Sequence, residues 1–192
     1  MPFDSTLPAR LKAHLMPPET VADFWKPLGF AVWFGKDPAF DHEFRETFAT
    51  EHEAAARGEL MPWIGTPEGA LSLVILLDQY PRNAFRGTAR MYATDTLART
   101  VAHAALQLGH AQAVEPPLGL FFYLPLGHSE QLADQDRAVA LCVGLPDPAP
   151  SHSRRNRDII ARFGRFPHRN AILGRKAMAE EDAWLADGGY AG

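Results

Sequence analysis

The sequence predicts an all-α fold of stacked antiparallel helix pairs, one domain over residues 1–192. Three observations carry this expectation. Apolar residues recur at helical spacing along most of the chain, proline and glycine mark the joints between these stretches, and no strand-like alternation persists. With 46% hydrophobic residues the chain can bury a substantial core, and 22% charged residues is ordinary globular usage.

The elements follow in order. Asp37 reads as an N-cap with Pro38 at the first helical position, after which Phe40, Phe44 and Phe48 form one aromatic face and Gly58 ends the pattern. Gly69 to Leu77 is apolar nearly all round, as a buried helix would be, and Pro81 is expected to stop it. Ala93, Leu97, Val101, Ala105 and Leu108 predict the next stripe, closed by Gly109. Pro116-Pro117 breaks the chain again. A helix is expected to begin near Ser129 with Leu132, Val139 and Val143 inward, then a loop or hinge over Leu145–Ser153. A helix through Ile159, Ile160 and Phe163 follows, and a last one near Met178–Leu185 carries Glu180 and Glu181 in its first turns, where the helix dipole favours them.

Composition excludes several classes. A net charge of −4 argues against a dedicated nucleic-acid binder. The one cysteine, Cys142, rules out an intramolecular disulfide and a cysteine zinc site, and its apolar setting reads as a buried, inert thiol. The apolar run Ala70–Leu77 is too short to cross a bilayer, and Met1–Ser5 opens no basic-then-apolar leader. A cytoplasmic protein without a membrane partner is the expectation. Walker, dinucleotide-glycine and nucleophile-elbow patterns are absent from the sequence. No cofactor is implied, and His128, His168, Glu130 and Asp78 lack the spacing of a helical metal pair, so no metal is expected.

Chemistry concentrates in three segments that set polar groups beside helix breaks. The first, Leu77–Gly87, holds Gln79, Arg82, Asn83 and Arg86. The second, Phe121–Glu130, holds Tyr123, His128, Ser129 and Glu130. The third, Arg162–Arg175, holds Arg165, His168, Arg169, Asn170 and Arg175. Each mixes aromatics with charge, which points to partial burial. The first and third echo one another, Tyr80-Pro81-Arg82-Asn83-Ala84 against Phe166-Pro167-His168-Arg169-Asn170-Ala171 with one residue inserted. Shared turn chemistry and a functional pseudo-repeat are both open explanations.

These segments, with Phe24-Trp25, Trp33-Phe34, Asp37, Phe40 and Asp41 upstream, resemble the signature blocks of the mainly bacterial domain-of-unknown-function family 924, over most of the chain to Leu185. The resemblance implies a tetratricopeptide-repeat-like helical fold and a shared site, and no activity. Two departures stand out: Asn156 before Arg157 where the family pattern has His, and Lys176-Ala177-Met178 in place of a Ser-Thr helix start.

Between Ser151 and Lys176 lie seven arginines and one lysine against one aspartate, a net +7 that leaves −11 for the rest of the chain. Buried arginines of this kind require carboxylate or phosphate partners, and Asp78, Asp95, Glu130 and Asp134 are the candidates within the chain. One reading is a pocket for a small anionic ligand: Gln79, Arg82, Asn83, Arg86, Tyr123, Ser129, Arg165, His168, Arg169, Asn170 and Arg175 bind, and His128 and Glu130 supply any acid–base step. The alternative is a tetratricopeptide-like interaction module that captures an acidic peptide or carboxylate, the polar motifs being structural. Whether a reaction is catalysed stays open between them. Convergence of the three segments on one pocket is the expectation that favours the first reading.

Overall fold

The computed structural model describes residues 15–192; the amino-terminal stretch read above for a leader lies outside them. The described residues are helical, without a strand. The helices are α1 (Thr20–Trp25), α2 (Gly29–Trp33), α3 (Pro38–Ala56), α4 (Pro67–Val74), α5 (Tyr80–Ala84), α6 (Asp95–Gln107), α7 (His110–Ala113), α8 (Leu124–Gly127), α9 (Leu132–Leu141), α10 (Ala149–Phe163) and α11 (Ala179–Ala186). Contacts divide the chain into two compact units. The first reaches to Arg86 and resumes over Arg90–Pro125; the second comprises Gly87–Ala89 and Leu126–Gly192. No helix among the described residues is long and apolar enough to cross a membrane.

The first unit is built on aromatic packing. Asp37 caps α3 by accepting from the Ala39 N–H at 2.9 Å, and Pro38 follows in the position where its missing N–H costs nothing. Phe44 and Phe48 then point inward, Phe44 lying 5.1 Å from Trp25, which meets Phe121 edge-on at 5.6 Å. The α4 helix is buried on all sides, as its composition requires. Gly69 permits this packing, because a Cβ there would clash with the Trp63 carbonyl oxygen.

Pro81 does not stop the buried helix. The chain instead widens into a π-turn over Ile75–Gln79, in which the Tyr80 N–H donates to Ile75 O, and Pro81 becomes the second residue of α5. The wider turn and the missing proline donor leave three successive carbonyls to be satisfied by side chains. His52 donates from Nδ1 to Leu76 O at 2.9 Å, a tautomer fixed by a carbonyl that can only accept. The Thr94 hydroxyl donates to Leu77 O at 2.6 Å, and Arg82 Nη1 to Asp78 O at 2.8 Å.

Other elements also differ from the sequence expectation. In α6 the buried face is Ala98, Val101, Ala102 and Ala105, leaving Leu108 60% exposed beyond the helix end. The α9 helix starts at Leu132, not Ser129, and Leu132 and Val143 are exposed. Asp134, Gln135 and Ala138 face inward in their place. The reason is polar: Gln135 Nε2 donates to the carbonyls of Gly127 at 2.9 Å and Ser129 at 2.6 Å, closing the end of α8. Within Leu145–Ser153, read as a loop, α10 already begins at Ala149. It ends on Gly164, whose φ of 68° is the left-handed conformation glycine adopts without strain. A second cluster of Ile159, Ile160, Phe163 and Phe166 anchors this unit, with Trp184 and Tyr190 against it.

Replacing Thr94 by Val removes the donor to Leu77 O within a buried site and should cost about 1–3 kcal/mol. In the Thr94→Val background, Pro81→Ala supplies a backbone N–H and should recover part of that loss. Urea unfolding of the single and double variants measures both; a Thr94→Val midpoint equal to the parent's would show that the carbonyl needs no such partner.

Candidate functional site

The polar residues between Leu77 and Arg86 find most of their partners within the first unit, although Arg82 Nη2 is buried without one. Asp78 is fully buried and accepts from Gln79 Nε2 at 2.6 Å. Arg82 Nη1 lies 3.2 Å from Asp78 Oδ1 and 2.9 Å from Asp95 Oδ1. Burial opposes the Arg82 charge, but the two carboxylates outweigh it and raise its pKa. Asn83 Nδ2 donates to Asp41 Oδ1 at 2.7 Å, and the Arg86 fork donates to both oxygens of the same carboxylate at 2.7 and 2.9 Å. Tyr123, also in this unit, packs against the aromatic core.

The second unit brings together His128, Ser129, Glu130 and the whole third segment. Glu130 accepts from the Phe166 N–H at 2.8 Å and from Arg175 through two bonds, at 2.6 and 3.0 Å. Burial disfavours its charge, yet the Arg175 fork and the Phe166 N–H hold its carboxyl below the usual range. Arg165 grips the buried Glu181 at 2.6 and 2.7 Å, and Asn170 Nδ2 donates to Glu181 at 3.0 Å. Asn170 Oδ1 in turn accepts from Arg175 Nε at 3.0 Å. Arg169 donates to the His128 carbonyl at 3.0 Å and stacks over Phe166. Ser129 donates to Asp134 at 2.7 Å while accepting from the Gln131 N–H, so it caps the approach to α9.

The internal echo thus has a physical content. In each copy the asparagine amide donates to a carboxylate that an arginine outside the copy also holds, Asp41 with Arg86 three residues after Asn83 and Glu181 with Arg165 five residues before Asn170, so the two arginines are not equivalent positions. The lost Ser-Thr start of α11 is partly offset by the same group, since Glu181 Oε2 accepts from the Met178 N–H at 2.7 Å.

Glu130 is held as a carboxylate, and burial together with the Arg169 charge pushes His168 down to about 4. Among the described residues no group of three His, Cys, Asp or Glu is placed to hold a metal ion.

Sequence reading passed over a different feature. An open groove of about 390 Å³ runs along α10 and α11, lined by Arg155, Asp158, Ile159, Arg162, Phe163 and Trp184. The spacing of Arg155, Ile159 and Phe163, four residues apart, was the available signal. Arg155 packs its guanidinium 3.8 Å over the Tyr190 ring, and its polar contact is a pair of long bonds, 3.2 and 3.4 Å, to Asn156 Oδ1.

The sequence profile of a family described as "Bacterial protein of unknown function (DUF924)" matches residues 21–189. The chain belongs to that family. A solved structure, that of a protein of unknown function from Agrobacterium tumefaciens, is similar at 50% identity with a TM-score of 0.86; the match covers 88% of this chain and 97% of that one. Comparison with curated proteins finds no match.

Glu181, pulled down to about 2 by Arg165, supplies the acid dependence. A depressed carboxyl contributes stability that is present above its unfolded value, near ~4.3, and lost as pH falls through the folded value. The parent should therefore lose stability between about pH 4.3 and 2, and Glu181→Gln should have a shallower acid limb. Denaturation midpoints across that window test this; identical slopes in the two proteins would remove Glu181 from the account.

Proposed function

We propose that this protein is a helical interaction module that captures an acidic peptide or carboxylate, with its three polar motifs serving as internal joints. One observation carries the reading. Arg82, Arg86, Arg165 and Arg175 each already hold a carboxylate of their own unit, whereas Arg154, Arg155 and Lys176 of the basic segment have no carboxylate partner among the described residues. Cations left over after internal pairing are the ones free to meet an external anion. The tetratricopeptide-repeat-like reading of the fold belongs with this proposal, since stacked helix pairs offer side chains from successive helices to an extended partner. The small-ligand pocket with a His128–Glu130 acid–base pair draws less support, because Glu130 is occupied by Arg175 and Phe166.

Hexaglutamate serves as the probe, titrated calorimetrically at low and physiological salt. Binding should weaken with salt and fall about tenfold or more in the Arg154→Glu/Arg155→Glu double variant, about 1.4 kcal/mol or more. Equal binding by that variant, or no binding by the parent, would sink the reading. Tighter binding of a single-stranded oligonucleotide than of hexaglutamate would displace it in favour of a nucleic-acid partner.

A further inference from the structure

We infer that the α10–α11 groove docks a short peptide segment in which an acidic side chain stands three or four residues from a bulky apolar one. This rests on the interaction-module reading and gives it a place. Arg155 sits at one end of the groove. Its face is covered by Tyr190, whose ring is itself braced edge-on by His168 at 5.2 Å, so stacking restrains the plane of the guanidinium. Its donors meet Asn156 Oδ1 at 3.2 and 3.4 Å, long contacts with a neutral oxygen. A carboxylate in that position makes shorter, charge-assisted bonds and displaces little.

The rest of the groove is apolar. Ile159 and Phe163 form its floor on α10, and Trp184 of α11 stands 5.3 Å from the Phe163 ring, centroid to centroid. At the far end Arg162 is neutralised by Glu180 at 2.9 Å and lies over Phe163, so that end closes the groove without a net charge. Asp158, the acidic group in the lining, is 74% exposed and lies 3.5 Å from Arg157, which Asp136 holds more closely at 2.9 Å; it forms no ion pair with Arg155. The groove is therefore cationic at one end and apolar in its body. From residue 155 to residue 163 the helix advances about 12 Å. An extended peptide covers that length in about four residues. This sets the spacing between the acidic and apolar side chains of the occupant.

Further support comes from Gly189. A Cβ there would lie 2.5 Å from the Trp184 ring, so the glycine lets the chain pass closely behind the indole and deliver Tyr190 to Arg155. The two anchors of the groove, one apolar and one cationic, are thus positioned by the same short turn.

The test uses acetyl-Phe-Ala-Ala-Glu-amide, with acetyl-Phe-Ala-Ala-Gln-amide and acetyl-Ala-Ala-Ala-Glu-amide as controls. Amide and indole NMR shifts of the full chain report the location. Shifts should be confined to Arg155, Ile159, Phe163, Trp184 and Tyr190. Affinity should fall about tenfold or more for either control peptide and for Arg155→Glu. The control peptides keep the result readable if a protein variant folds poorly. Shifts elsewhere, equal binding of the three peptides, or self-association through this face that excludes the peptide would each overturn the inference. If hexaglutamate binds while the acetylated peptide ignores the groove, the groove fails and the wider proposal stands; if neither binds, both fail.

Discussion

A carboxylate held at once by an arginine fork and an asparagine amide is the joint on which both units depend. Asp41 on α3 meets Arg86 and Asn83, and Glu181 on α11 meets Arg165 and Asn170. The first joint ties α3 to Asn83 of α5 and to Arg86 just after it; the second ties α11 to the segment that follows α10. Removing one partner of such a group leaves the other without its counter-charge, which costs stability.

The same principle explains why so many signature residues sit at helix breaks. A break exposes main-chain groups that lose their helical partners, and the side chains nearby supply replacements. His52, Thr94 and Arg82 do this around the π-turn, and Gln135 does it at the end of α8. Polar density in a sequence therefore marks places where the backbone needs help as readily as places where a ligand binds.

Helical class, the cap at Asp37 and the Phe44–Phe48 face were legible because each rests on local chemistry within a few residues. The inward face of α9 was not. Its apolar residues, Leu132 and Val143, look outward, because the carbonyls that Gln135 serves come from another element that periodicity does not see. Pro81 misled for a related reason: a proline normally ends a buried helix, but a widened turn absorbs it once three outside donors are at hand. For the candidate site, the sequence marked which arginines matter and offered Glu130, which Arg175 holds, but not Asp41 or Glu181, which lie 45 and 16 residues from the arginines that bind them.

The π-turn also sets a phase. Relative to a regular helix it contains one residue more per turn, and one residue is worth about 100° of rotation. All that follows in α5 inherits this angle, including Asn83 and Arg86, which meet Asp41 only at that heading. In genetic terms, loss of a single codon among Ile75, Leu76 and Leu77 would leave the stretch apolar yet would swing both residues off their carboxylate. Point substitutions of one apolar residue for another at these three positions would leave the heading unchanged. Reading-frame-preserving deletions and substitutions should thus be selected very differently over these three codons.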